Sequence, residues 1–324
     1  MEQVTEFYGI DISKDVFDVC TPEGKHLQFT NTVEGFRAYG KLLSANSRSV
    51  MEATGCYHQQ LAGWLFTHGH GVSVVNPLII KRFSQMRLRI AKTDKADARM
   101  IQTYGQVENP PAWQPPQKFV TQSMEIHGLV ELLIRQRTGL KNKLHSIKSK
   151  GESFTRTTRA ITKLIKQMDG EIAKLESSME ALIREHQGSM YDQLCTIPGI
   201  GRKTAMFLIV VTNGFDGFEN SKQLSSYMGL APRLKISGKS VRGQSRISKA
   251  GNATIRNLLF MCSFTASENN KACRELFNRL VARGKSKKLA LIAVANKLLK
   301  QAFAIVKSNT TYDENILEMR PAMN

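Results

Sequence analysis

Val4-Thr-Glu-Phe-Tyr-Gly-Ile-Asp-Ile-Ser-Lys-Asp-Val-Phe-Asp-Val-Cys20 decides the fold. The apolar run that ends at Asp11-Ile12 reads as one strand. After a short turn, Val16–Cys20 reads as a second. Working outward, Pro22-Glu-Gly-Lys25 has turn chemistry and leads into a third short strand, Lys25–Thr30. Val33–Leu43 has helical spacing, Ser49–Ala53 is a strand and Leu61–Thr67 a helix. Val72–Asn76 is a further strand that ends at Pro77, and Asp94–Val107 is a helix. Three strands with hairpin-like links, followed by alternating helices and strands, predict a mixed α/β sheet.

Asn109-Pro-Pro-Ala-Trp-Gln-Pro-Pro116 packs four of the chain's nine prolines into eight residues. No helix passes through such a stretch, so it reads as a semi-rigid linker, with Trp113 anchoring it against a domain. Beyond it, apolar residues recur at helical spacing in two runs, Leu129 to Ile147 and Ile161 to Leu182, with Gly151 between them. That pattern predicts a hairpin of two long helices. Residues 188–324 read as mainly helical, with helices expected at 202–213, 251–267, 271–283 and 287–306 and one irregular stretch, Gly229–Gly251. The expected domains are therefore 1–110, 111–187 and 188–324, an α/β domain followed by all-α parts.

Of 324 residues, 46 are Lys or Arg and 27 are Asp or Glu, a formal net charge of +19. Residues 1–110 carry 12 basic and 11 acidic side chains, whereas residues 191–324 carry 21 and 8. An excess placed so unevenly implies a polyanionic partner, nucleic acid first, and a partner gripped by the later part of the chain. With 41% apolar residues the chain is neither disordered nor fibrous. Five scattered cysteines without a C-x-x-C pair read as reduced thiols. No apolar run is read as a membrane span and the first residues lack a signal-peptide pattern, so a cytoplasmic, nucleoid-associated protein is expected.

Four carboxylates stand out. Asp11 ends the first strand, Glu52 lies near the end of the strand Ser49–Ala53, and Asp94 and Asp97 are three apart at a helix start. Acids three apart share a helical face. Hard oxygen ligands that converge in this way suit Mg²⁺ or Mn²⁺, which can hold a phosphate during in-line displacement. The plainer account of Asp94 and Asp97 is that they cap the helix. A strand Asp, a second-strand Glu and a helical acidic pair are the set used by the RNase H-like nuclease fold.

Two further motifs point to phosphate. Thr196-Ile-Pro-Gly-Ile-Gly-Arg-Lys-Thr-Ala205 has the pattern of a helix-hairpin-helix. There Gly199 and Gly201 would let backbone approach a phosphate, and Lys203 would add charge. Residues 231–251 hold six basic residues, no acid and four serines. Arg233, Lys235, Lys239, Arg242, Arg246 and Lys249 are the phosphate-binding candidates. Such a loop either binds phosphate only, or offers a hydroxyl among cations as a nucleophile. Composition does not choose among Ser237, Ser240, Ser245 and Ser248.

These residues occur in a recognisable order: Gly9-Ile-Asp-Ile-Ser-Lys14, Glu52-Ala-Thr-Gly-Cys-Tyr57, Val75-Asn-Pro77, Lys92-Thr-Asp-Lys-Ala-Asp-Ala98, Ile197-Pro-Gly-Ile-Gly201, Gly229-Leu-Ala-Pro-Arg233, Ser237-Gly238 and Arg246-Ile-Ser-Lys-Ala-Gly-Asn252. Over residues 4–310 the chain resembles the DEDD-type insertion-sequence transposases, the bridge-RNA-guided recombinases. The resemblance implies a RuvC-like (RNase H-fold) N-terminal domain, a coiled-coil hairpin and a C-terminal transposase domain. It assigns Asp11, Glu52, Asp94 and Asp97 to a metal-binding tetrad and Ser237 to the nucleophile. It further implies a structured guide RNA encoded by the element, pairing with donor and target double-stranded DNA. The active site would be shared between subunits of a homodimer that assembles to a tetramer. Two other readings compete: a metal-dependent junction nuclease that uses water, and a non-catalytic nucleic-acid scaffold.

Overall fold

The computed structural model describes residues 6–87, 94–151, 155–233, 236–237, 241–242, 246–248, 251 and 253–314. The chain forms two compact units, Met1–Pro115 and Pro116–Asn324. The expected second and third parts thus share one unit.

In the first unit, β1 (Glu6–Ile12), β2 (Val16–Cys20), β3 (His26–Thr30), α1 (Val33–Gly40), β4 (Ser47–Glu52), α2 (His58–Thr67), β5 (Gly71–Val75), α3 (Pro77–Met86) and α4 (Asp94–Glu108) follow in order. The sheet order is β3-β2-β1-β4-β5. The first three strands pair antiparallel, and β4 and β5 add parallel to β1. This five-stranded mixed sheet with helices is consistent with an RNase H-like transposase domain.

Strand alternation sorts the side chains onto two faces. Tyr8, Ile10, Ile12, Phe17, Val19 and Met51 form one core with Phe36 and Tyr39 of α1 and Leu61 and Leu65 of α2. Phe7, Val50 and Val75 form the other with Ile80 of α3 and Ile101 of α4. Gly9 lies on that second face, where α4 presses directly on β1. A Cβ built there would stand 2.1 Å from the Gln102 nitrogen and 2.2 Å from the Ala98 oxygen.

Two elements extend the sequence reading here. The strand ends before Pro77 as read, and Pro77 also opens a helix absent from the sequence reading, α3, at its first helical position, with the Asn76 side chain accepting from the Leu78 N–H at 2.9 Å. Proline suits that place because its missing N–H would be unpaired anyway. The proline-rich segment is also partly packed: the Trp113 N–H donates to the Val72 carbonyl at 2.7 Å, and the Ser73 hydroxyl donates to the Pro111 carbonyl at 2.8 Å.

The second unit begins with two long helices, α5 (Lys118–Ser149) and α6 (Thr155–Cys195), which pack on each other. Backbone angles at Gln187 (φ −141°, ψ 34°) break α6 near its end. Then come α7 (Arg202–Val211), α8 (Ser221–Tyr227), four two-residue strands β6 (Pro232–Arg233), β7 (Ile236–Ser237), β8 (Val241–Arg242) and β9 (Arg246–Ile247), and α9 (Ala253–Asn269), α10 (Lys271–Ala282) and α11 (Lys287–Ser308). The sequence reading of 229–251 as irregular missed those strands. It also missed that α11 is long and apolar enough to cross a membrane. Its Val294, Ala295, Leu298, Leu299 and Ala302 are instead buried in the unit's core with α7 and α9.

Gly9→Ala is expected to destabilise the first unit by about 3 kcal/mol or more, because helix backbone rather than a movable side chain stands in the way. Gly63→Ala in α2 meets no atom within 4 Å. It should instead stabilise by about 0.5–1 kcal/mol. Thermal unfolding of the two variants beside the parent checks both signs.

Candidate active site

Asp11 and Glu52 are brought together by strand register. Ile10 pairs with Met51 across the parallel β1–β4 ladder, so Asp11 and Glu52 occupy the next position on neighbouring strands. Such positions lie about 4.8 Å apart and project from the same face. Asp11 shares the face of Phe7 and Gly9, and Glu52 that of Val50, so both stand on the side that α4 covers. Gly105 of α4 sits over Phe7 and Val50, while Ala98 and Gln102 sit over Gly9. The helix therefore runs along β1 with its start, which carries Asp94 and Asp97, toward the Asp11 end. The four acid positions thus fall toward the same end of the sheet.

The side chains do not complete a cage on their own. Among the described residues no three His, Cys, Asp or Glu side chains form a group that could hold a metal ion. Of Asp94 only the backbone is described. Carboxylates held by rigid strands are nonetheless the donor chemistry that a hard divalent cation takes. The Glu52 carboxylate accepts from the Thr54 hydroxyl at 3.2 Å, and the Ala53 N–H donates to the Val75 carbonyl at 2.9 Å, which ties the strand end to β5.

A further acid was missed in the sequence. Asp18 pairs with Asp11 across the antiparallel β1–β2 ladder and is buried. Like charges directly opposite each other destabilise a ladder unless compensated. Compensation comes from β3: His26 Nε2–H donates to Asp18 Oδ1 at 2.7 Å and Gln28 Nε2–H donates to the same oxygen at 3.1 Å. On this face burial pushes the Cys20 thiol up, while the Arg99 and Lys95 cations of α4 pull the other way. The period-two spacing of Asp18 with Val16 and Cys20 was the available signal.

The second unit holds the other candidates. Gly199 adopts φ +104°, and a Cβ there would meet the Ala266 Cβ of α9 at 2.7 Å. Its glycine is thus required by turn and packing, where the sequence reading invoked access for a phosphate. Gly201 is different: it is the exposed N-cap of α7, makes no side-chain cap bond and has nothing within 4 Å of a built Cβ. Lys203 does not stand alone, since its ammonium donates to Glu176 Oε1 of α6 at 2.6 Å.

The serine loop is a nested hairpin. β6 pairs with β9 (Pro232 with Ile247, Arg233 with Arg246), and inside it β7 pairs with β8 (Ile236 with Arg242, Ser237 with Val241). Ser237 is the last paired residue of β7. At the base the Ser248 N–H donates to the Ala231 carbonyl at 3.0 Å, and the Ala231 N–H donates to the Ser225 carbonyl at 3.1 Å. Gly251 (φ +126°) presses on the end of α8, where a Cβ would stand 2.1 Å from the Tyr227 oxygen. For Arg233, Ser237, Arg242 and Arg246 the description is of backbone only. Lys235, Lys239, Ser240, Ser245 and Lys249 lie outside the described residues.

Comparison with known proteins agrees with these two parts. Residues 8–147 match a DEDD transposase model of the IS110 type, and residues 191–278 match the model described as Transposase IS116/IS110/IS902 family. A pilin gene-inverting protein of Moraxella bovis is 34% identical over 328 residues, covering 96% of this chain and 99% of that protein. The chain belongs to the IS116/IS110/IS902 transposase family. A second pilin gene-inverting protein, from Moraxella lacunata, is also 34% identical over 328 residues. The transposase for insertion sequence element IS1111A of Coxiella burnetii is 23% identical over 347 residues, covering 94% of this chain and 90% of its own. As an insertion-sequence transposase the chain acts on DNA, and its DEDD-type domain points to a divalent metal.

The two glycines of the hairpin turn are separable. Gly199→Ala should cost about 2 kcal/mol or more, through the positive φ and the Ala266 overlap. Gly201→Ala should cost about 1 kcal/mol or less. Thermal denaturation of both variants measures the difference.

Proposed function

We propose that this transposase is an RNA-guided recombinase that cuts and rejoins donor and target DNA through a phosphoserine. In this reading the Ser237 Oγ attacks the scissile phosphorus, the new O–P bond forms as the bond to the 3′ oxygen breaks, and a 5′-phosphoseryl strand results. The hydroxyl proton passes to solvent, and the departing 3′ oxygen takes one up. The free 3′ hydroxyl of the exchanged strand then attacks the same phosphorus, restores a phosphodiester and releases the serine. Bond energy is conserved, so no nucleotide cofactor is needed.

Arg233, Lys235, Lys239 and Arg242 would offset charge on the phosphate during both transfers, with Arg246 and Lys249 holding the adjoining backbone. Asp11, Glu52, Asp94 and Asp97 would hold Mg²⁺ or Mn²⁺, which when bound supplies charge stabilisation at the leaving 3′ oxygen. Gly201 and the open start of α7 would take a further phosphate.

The observation that most supports this reading is the position of Ser237 on the last strand pair of a hairpin arm within the chain's most basic loop. A full-length relative named for inverting a gene adds to it. Inversion leaves every broken strand rejoined, as a covalent protein–DNA intermediate permits. Delegating sequence choice to a guide RNA encoded by the element agrees with motifs that grip backbone and read no bases. A dimer assembling to a tetramer would let the acids of one subunit meet the serine of another. The place of action would be the prokaryotic nucleoid.

The test mixes the protein, RNA transcribed from the element's flank and end-labelled junction DNA. A Mg²⁺-dependent, protease-sensitive adduct that maps to Ser237 is expected, and Ser237→Ala or Asp11→Ala should reduce recombination by about 10³-fold or more. Cleavage that leaves free phosphate ends and no adduct would replace this reading with the water-using nuclease. Acid substitutions that alter affinity alone would leave a scaffold.

A further inference from the structure

The first unit is almost neutral, yet its cations are not evenly placed. Between Glu52 and Asp94 the sequence has five basic residues and no acid, and all five fall within 81–92. Of that cluster, Lys81 and Arg82 are on α3, and Arg87 caps its end with its guanidinium over the Phe83 ring at 5.0 Å. The helix begins two residues after Val75, the partner of Glu52 in the β4–β5 ladder, so it rises from the same sheet edge as the candidate acids.

The inward side of α3 is satisfied by Ile80 and Phe83, both buried, with Phe83 packed edge-on against Tyr104 of α4. Its outward side has no such cover. Leu78 and Ile79 are each 46% exposed and Met86 is 69% exposed. At 100° per residue, Leu78, Arg82, Met86 and Ile79 fall within a single ~100° arc, and Lys81 flanks it. Lys81 and Arg82 are exposed, and no carboxylate pairs with either among the described residues. A solvated helix face would carry mixed charges, and a buried one would carry no cations; this stripe has large apolar side chains interleaved with unpaired cations.

We infer that the outward face of α3 is a DNA-binding surface, which presses Leu78, Ile79 and Met86 against bases unstacked beside the cut while Lys81 and Arg82 hold the flanking phosphates. Aliphatic side chains inserted at a base step unstack it and bend the duplex, and the cations retain the strand so opened. The commitment to DNA follows from position, because the stripe adjoins the edge where Asp11 and Glu52 stand, and it rests on the proposed DNA-cutting function. It adds to the chain a nucleic-acid contact outside the basic second unit.

The test uses the full chain carrying Asp11→Ala, so that binding is read without chemistry. Its probes are the transcribed RNA and a junction duplex with 2-aminopurine beside the cut. Replacing Lys81 and Arg82 with glutamine should lower the slope of log K against log salt by about 2, whereas Arg82→Lys should leave it near the parent value. Leu78→Ala with Ile79→Ala should abolish the rise in 2-aminopurine fluorescence and leave the salt slope unchanged. A photo-crosslinker at position 86 should label DNA. An unchanged slope in the glutamine variant, or a crosslink only to RNA or to a second copy of the chain, overturns the inference. A Ser237 adduct formed by the parent chain, beside an unchanged slope in the glutamine variant, would sink this inference alone. Crosslinking to DNA with no cutting by the parent chain would sink the proposed function and leave the surface standing.

Discussion

The first unit depends on one contact between backbones. α4 lies so close to β1 that the Gln102 nitrogen and Ala98 oxygen occupy the place where a side chain of residue 9 would begin. Any residue larger than glycine would lift the helix from the sheet. The lift would be felt at the helix start, which carries Asp94 and Asp97, near the end of β1 that carries Asp11. Gly105 lets the same helix settle on the Phe7 and Val50 side chains, two residues along β1 from Gly9. A site made from two strands and a helix keeps its geometry only if the helix cannot slide, and direct backbone contact restrains it better than an adaptable layer of side chains would.

The second unit solves a different problem. A hairpin rich in cations repels itself and buries little, so its two stems must be held from outside. They are held at α8: Ala231 bonds back to Ser225, and Gly251 presses against the Tyr227 carbonyl. Between those stems β7 pairs with β8, with Ser237 opposite Val241.

Much of this was legible residue by residue. Strands β1, β2 and β3 and helices α4, α9, α10 and α11 follow from spacing of two or of about 3.6, since their apolar faces are buried and the period is visible. The ends of those elements, and hence the acids at them, were readable for the same reason. The misses are equally physical. Pro77 ends one element and starts another, and sequence order alone does not say which role dominates. The strands around the serine loop are two residues long, too short for any period. Lys297 and Lys300 interrupt the apolar run of α11, so its membrane-span length and hydropathy went unread, and its burial comes from α9 and α10.

The sequence by itself determined which residues can do chemistry: carboxylates at strand ends, serines among arginines and lysines, and a charge excess that calls for a polyanion. Those are properties of side chains and of local period, and they survive without a fold. Only the tertiary structure decided their company. It set Asp18 opposite Asp11 with His26 and Gln28 to balance it, tied Lys203 to Glu176, and gave Gly199 a packing role. Such pairings depend on strand register and on helix approach between residues far apart in the chain, and no local pattern encodes a distance across the fold.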